Sequence, residues 1–169
     1  HYIDSGSMGV LLATPNSRLK ILLTQLLSML AGITLLIVLI TAIGVGTCEG
    51  LFPGELDIPL FLKLNAALLL FHLMLGGIAF LPACIFNDSK WYFSIGAGLL
   101  VLFFLFQMLG NTGGDMEFFR YLTLFTLFPG KNIVDGDGEV LLKCLGMAGA
   151  AIVMYGCGAV CFHKKDLPL

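Results

Sequence analysis

The stretch ILLTQLLSMLAGITLLIVLITAIGVGTC, residues 21–48, has 28 residues and contains no Asp, Glu, Lys or Arg. An α-helix needs about 20 apolar residues to cross the hydrocarbon core of a bilayer. Three further stretches lack these four residue types: 64–87 with 24 residues, 91–114 with 24, and 144–163 with 20. Each of the four stretches is therefore long enough to span a membrane.

The composition argues against a soluble protein. Of the 169 residues, 58% are hydrophobic and 12% are charged, whereas about 25% of the residues of soluble domains are charged. A soluble domain of this size has too little interior to bury four uncharged helices. The sequence also has no basic patch of the kind that binds nucleic acid. We therefore predict an all-α protein with the lipid bilayer as its surroundings and a single transmembrane domain over residues 1–169.

The charge-free stretches and the turn-forming residues between them predict four transmembrane helices. The second and third are joined by a link of a few residues around Asp88, which suits antiparallel neighbours. The predicted spans are about 21–46, 60–85, 91–110 and 140–162.

One long connection, between the third and fourth spans, carries an apolar run of its own. The uncharged part that follows Arg120 is only 10 residues long, about half of what a span needs. We predict that residues 118–129 form a short re-entrant or interfacial helix.

The charges predict which side of the membrane holds the termini. Because the number of spans is even, both termini lie on one side. Basic residues favour that side by five to four, and basic residues mark the cytoplasmic side. Both termini are therefore predicted to be cytoplasmic.

The sequence predicts no catalytic or metal site. The five cysteines include no CxxC pair, so a metal site is not indicated. Residues 135–139 alternate acids with glycines but lack the spacing of an EF-hand. A Walker A motif is missing from the sequence, so any ATP would be hydrolysed by another chain.

Four polar side chains in or near the spans are candidates for pathway or interhelical contacts. His72 and Asn65 are seven residues apart and share a helix face. His72 could relay protons or contact a substrate, but a neutral imidazole bonded to a neighbouring helix is the favoured interpretation because the span has no carboxylate. Gln107 and Asn111, at i and i+4, are interpreted as interhelical hydrogen bonders or as lining near the outer mouth.

Residues 4–18, DSGSMGVLLATPNSR, resemble the cytoplasmic motif of bacterial ABC transporter permeases of the type-two exporter class, D-x-G-S-M-A-Y-L-L-S-T-P-x-x-R. Gly9 and Val10 replace the usual Ala-Tyr, and Ala13 replaces Ser. Shorter pieces are similar, in the same order, to the Firmicutes form of this permease: 52–57 (FPGELD), 84–88 (CIFND), 125–129 (FTLFP) and 164–169 (KKDLPL).

This resemblance implies the C-terminal part of a six-helix permease, with about two spans preceding His1. It implies a bacterial plasma-membrane exporter in which a separate ABC ATP-binding subunit carries ATP and Mg, with a second permease chain as a homo- or heterodimer. Residues 7–18 would form a cytoplasmic coupling segment against the ATPase, and residues 118–129 the outer re-entrant element. The coupling residues so implied are Met8, Leu11, Leu12, Thr14, Pro15 and Arg18.

Two other functions compete with ATP-driven export. An ion-coupled secondary transporter would need carboxylates within the membrane or broken helices, and the four predicted spans have neither. A non-transporting immunity or assembly factor would need no pathway at all. In each interpretation we expect that this chain is not an enzyme and holds no cofactor. Peptide antibiotics and lipids are expected as substrates only because the resemblance implies them.

Overall fold

The computed structural model describes residues 18–86 and 88–164. Within them, four long helices are apolar and long enough to cross a membrane. The predicted all-α membrane fold is therefore confirmed, and the chain is a multi-pass membrane protein. The helices are α1 Arg18–Leu51, α2 Ile58–Ile85, α3 Ser89–Gly110, a short α4 Gly130–Asp135 and α5 Glu139–Lys164, with 3₁₀-helices at Gly114–Leu122 and Leu124–Leu127.

Helix α1 is longer than its predicted span of 21–46. Its 34 residues extend over about 51 Å, well beyond the roughly 30 Å of a bilayer core. The helix continues beyond the predicted end at residue 46 to Leu51, because the charge at Glu49 ends the apolar run without ending the helix. The helix ends there because Phe52 precedes a proline, which disfavours the helical conformation.

Helix α2 begins and ends at recognisable signals. The Asp57 side chain accepts a hydrogen bond from the backbone N–H of Leu60 at 3.0 Å, which caps the first turn. The helix continues through Pro82 to Ile85. The Asp88 carboxylate then accepts from Lys90 N at 2.9 Å at the start of α3. The short link joins neighbouring helices, since α2 and α3 pack together.

Helix α2 is the central element of the bundle. It packs against α5, α3, α1 and α4. We call the end of the bundle with residues 52–57 and 111–138 the connection end. The opposite end, with residues 18 and 164, is the terminal end.

The buried core forms two clusters that follow one another along the bundle. The terminal cluster consists of Leu22, Phe80, Cys84 and Phe162. The connection cluster consists of Phe71, Met74, Met147 and Ala151.

The segment predicted as one short helix at 118–129 is instead split between two 3₁₀-helices that are separated by Thr123. Thr123 is extended, and its hydroxyl donates to Phe103 O at 2.9 Å. The rings of Phe125 and Phe128 lie 5.2 and 5.8 Å from the ring of Phe71, near the midpoint of α2. The segment therefore packs its aromatic rings against the middle of α2, and its re-entrant character stays a prediction.

Helix α4 was not anticipated from the sequence. Six residues are too few for hydrophobic periodicity to indicate a helix. The local signals are Pro129, which precedes it, and Gly136, which follows it with φ +71°. The left-handed conformation at Gly136 ends the helix, because glycine adopts it without steric cost.

Candidate functional site

A groove of about 690 Å³ lies between the connection-end halves of α1 and α2. Its walls are almost entirely aliphatic, since α1 contributes Ile37 and Val45 and α2 contributes Leu62 and Leu69. The full lining is Ile37, Val38, Thr41, Ala42, Val45, Gly46, Ile58, Leu62, Asn65, Ala66 and Leu69. The groove is bounded by two candidate spanning helices and is open on the surface of the described chain.

The two polar side chains in the groove donate their hydrogen bonds within their own helices. Asn65 is 8% exposed, and its Nδ2 donates to Phe61 O at 2.9 Å. The hydroxyl of Thr41 donates to Ile37 O at 2.7 Å. Because both donations are already made, the groove presents a mainly apolar surface.

His72 lies on the face of α2 that carries Asn65, two turns towards the terminal end. Its Nδ1 is 2.9 Å from Leu68 O, so the ring bonds within its own helix. A carbonyl only accepts, and this contact assigns the proton to Nδ1. This contact is intrahelical, because the i−4 carbonyl lies within reach of a histidine ring in the same helix, and a bond from His72 to a neighbouring helix stays a prediction.

Gln107 and Asn111 bond to each other rather than to a neighbouring helix. Gln107 Nε2 donates to Asn111 Oδ1 at 3.2 Å, and Asn111 ends α3. Among the described residues, Gln107 Oε1 is buried without a hydrogen-bond partner. The pair does not line the groove between α1 and α2. The four candidate polar residues therefore do not form a single site.

A polar network at the connection end was missed by sequence reasoning. Lys143 Nζ donates to Asn132 Oδ1 at 2.8 Å and lies 3.7 Å from the Glu139 carboxylate. Asn132 Nδ2 in turn donates to Asp137 Oδ2 at 2.9 Å. This network ties α4 to the first turn of α5. The i, i+4 spacing of Glu139 and Lys143 was the signal for one part of it, whereas nothing local indicates Asn132.

The predicted coupling segment falls largely outside the described residues. Five of the six predicted coupling residues lie outside the described residues: Met8, Leu11, Leu12, Thr14 and Pro15. The sixth, Arg18, is the first described residue of α1.

In the described chain, no group of three or more His, Cys, Asp or Glu side chains is placed to hold a metal ion. No disulfide links the five cysteines, all of which lie in the described ranges.

Comparison of the chain with protein families, with curated proteins and with solved structures finds no match. Its function is therefore inferred from the residues of this chain.

Proposed function

We propose that this chain is the membrane-spanning permease subunit of an ATP-driven exporter in the bacterial plasma membrane. The observation that carries the proposal is the sequence of residues 4–18. It departs from the permease motif only at Gly9, Val10 and Ala13, and it stands directly before a spanning helix. Under this proposal both termini are cytoplasmic, and the partners are an ATP-binding subunit that holds ATP and Mg and a second permease chain.

The proposed mechanism is alternating access. Closure of the ATPase subunits would push on residues 7–18 and so bias the bundle between inward-open and outward-open arrangements. A ligand shifts such an equilibrium only through its different affinity for the two states. Here that ligand is ATP on the partner subunit.

The groove between α1 and α2 supports a substrate with a long apolar part. Its volume of about 690 Å³ falls in the usual range of roughly 300–1,000 Å³ for small-molecule sites. The aliphatic walls offer binding to hydrocarbon, and the open side of the groove would give access from the membrane. A lipid or a hydrophobic peptide fits this chemistry better than a sugar or a small ion.

Ion-coupled transport has less support. The four charge-free stretches contain no Asp or Glu, and such carboxylates carry protons or bind sodium in secondary transporters. The long helices α1, α3 and α5 run without a break over their described lengths. A non-transporting immunity or assembly factor remains the rival that the experiment below must separate.

Copurification with an ATP-binding subunit tests the proposal. Met8, Leu11 and Leu12 would share one face of a short helix. Leu12→Glu would place an unpaired carboxylate in the contact with the ATPase, at a cost of several kcal/mol. We expect normal membrane insertion, loss of the copurifying ATPase and loss of export.

The matched control is Val10→Glu, which adds the same charge on the opposite face of that helix and should retain both ATPase and export. If Leu12→Glu retains the ATPase and exports normally, the coupling role is wrong. If no ATP-binding protein copurifies with the native chain, the result contradicts ATP-driven export and favours the non-transporting alternative.

A further inference from the structure

Tyr155 of α5 packs against both core clusters. Its ring centroid lies 5.5 Å from that of Phe80 in the terminal cluster, and it also packs against the connection cluster, which includes Met74. Its hydroxyl donates to Leu73 O of α2 at 2.7 Å. One side chain therefore joins the two halves of the bundle.

Helix α2 is weakest just beyond this contact. Gly76 and Gly77 are adjacent, and each glycine destabilises a helix by about 0.5–1 kcal/mol relative to alanine. Pro82 has no backbone N–H, so the carbonyl of Ile78 loses its usual i+4 donor. Glycine pairs and proline are the common causes of bends in helices. Residues 76–82 therefore form the segment of α2 with the weakest helix propensity; it begins just beyond Met74 of the connection cluster and carries Phe80 of the terminal cluster.

Helix α1 has different surroundings towards its two ends. Towards the terminal end, Leu22 belongs to the terminal cluster, and Leu26 and Met29 pack against it. Towards the connection end, the groove separates α1 from α2. Beside the groove, however, the Phe61 ring of α2 lies against Gly44 of α1, so α1 still contacts the connection half of α2 through that ring.

We propose that residues 76–82 form a hinge in α2 about which the connection half of the bundle moves relative to the terminal half. The Tyr155 hydroxyl is the latch, meaning the hydrogen bond that holds the two halves in the arrangement described here. This hinge is a property of the chain itself and goes beyond the proposed export function.

Two native cysteines report on the two halves separately. Cys84 is buried in the terminal cluster, and Cys144 packs against the connection cluster. The experiment measures the rate at which N-ethylmaleimide alkylates each thiol in the detergent-solubilised chain, resolved by peptide mass spectrometry. Nucleotide and partner subunit are left out, so the result does not depend on whether the chain is an exporter.

Tyr155→Phe retains the ring against Phe80 and removes the donor to Leu73. We expect alkylation of Cys144 to become about threefold faster, the size of effect of an interhelical hydrogen bond in a membrane protein. Cys84 should react at its original rate. Tyr121→Phe is the matched control, because Tyr121 is 83% exposed, and it should change neither rate. Equal acceleration at both cysteines, or none at either, would overturn the latch.

Gly76→Ala tests the hinge. A methyl group at this position would lie 2.7 Å from Tyr155 Oη, so the hydroxyl must move away from Leu73. Alanine thus opens the latch but also stiffens the hinge, so its effect is measured in the variant that already lacks the latch. We expect Gly76→Ala combined with Tyr155→Phe to be alkylated more slowly at Cys144 than Tyr155→Phe alone. An equal or faster rate in the double variant would refute the hinge.

Discussion

Helices α1 and α2 both qualify as membrane spans, but their surroundings differ greatly. The most apolar stretch of α1 has a higher mean hydropathy than that of α2, yet Leu22 and Ile37 are the only buried hydrophobic residues of α1 in the described range. Helix α2 has nine buried residues. In a bilayer the lipid is as apolar as a protein core, so hydrophobicity does not distinguish a packed helix from a lipid-facing one. The content of small residues does not distinguish them either, since α1 has four glycines and α2 has two. What differs is their surroundings: Gly76 and Gly77 of α2 lie against side chains of other helices, whereas Gly32 and Gly46 of α1 do not.

The difference between a packed and an unpacked helix face should be largest at glycines. A Cβ at Gly158 of α5 would lie 2.9 Å from the Phe80 ring of α2, whereas a Cβ at Gly32 of α1 would meet nothing within 4 Å. We expect Gly158→Leu to lower the free energy of unfolding by about 3 kcal/mol, at the upper end of overpacking effects. Gly32→Leu should not lower it. Unfolding by SDS in mixed micelles measures both, and equal losses would mean that α1 has a packed face there.

Removing side-chain volume should give the next largest difference. Met147 is fully buried against α2, while Leu27 of α1 is 69% exposed. Met147→Ala would leave a cavity, and we expect a loss of about 2 kcal/mol in the free energy of unfolding. Leu27→Ala should remain within about 0.5 kcal/mol of the native value. The same SDS titration reports both variants, and a Leu27→Ala loss as large as that of Met147→Ala would contradict the comparison.

The number of spans and their approximate positions could be predicted because charged side chains are excluded from hydrocarbon. The ends were predicted less well. Glu49 interrupts the apolar run but leaves the helix intact, whereas the proline after Phe52 ends it. Thr123 divides the apolar run after Arg120 through a hydrogen bond to Phe103, a contact between residues far apart in sequence that no local pattern reveals.

Candidate polar residues were easier to find than their partners. His72 and Gln107 are conspicuous in apolar stretches, but both bond within α2 or at the end of α3. The contact between Tyr155 and Leu73 depends on how α5 sits against α2 and has no signature in sequence spacing. The groove likewise depends on how α1 packs against α2, which composition does not encode.

Hydrogen bonds between elements should differ from hydrogen bonds within α1 by a smaller amount. The hydroxyl of Thr123 joins the segment of residues 118–129 to α3 through Phe103 O at 2.9 Å. The hydroxyl of Thr34 in α1 only bonds to Leu30 O of its own helix at 2.8 Å. We expect Thr123→Val to cost about 1 kcal/mol, and Thr34→Val to cost nothing measurable because the helical carbonyl keeps its backbone donor. Thermal unfolding in detergent distinguishes them, and equal midpoints for the two variants would show that Thr123 does not hold the segment.

The smallest expected difference concerns two lysines near the connection end. Lys143 of α5 donates to Asn132 Oδ1 at 2.8 Å, whereas Lys63 of α2 is exposed. Lys143→Met should free α4 and cost about 0.5 kcal/mol, the size of a partly solvated polar contact. Lys63→Met should cost nothing. Hydrogen exchange at residues 130–138 reports the change locally, because an opening of this size roughly doubles the exchange rate there and leaves the rest of α5 unaffected.

Ionic strength separates the two partners of Lys143. Its attraction to Glu139 over 3.7 Å is screened by salt at the surface, whereas the shorter hydrogen bond to the uncharged Asn132 is screened much less. Exchange at residues 130–138 of the native chain should therefore change little between low salt and about 1 M salt. Asn132→Ala should accelerate exchange at least as much as Lys143→Met, because it also removes the donation to Asp137 Oδ2. If salt alone accelerated exchange as much as Lys143→Met does, the ion pair with Glu139, rather than Asn132, would hold α4 against α5.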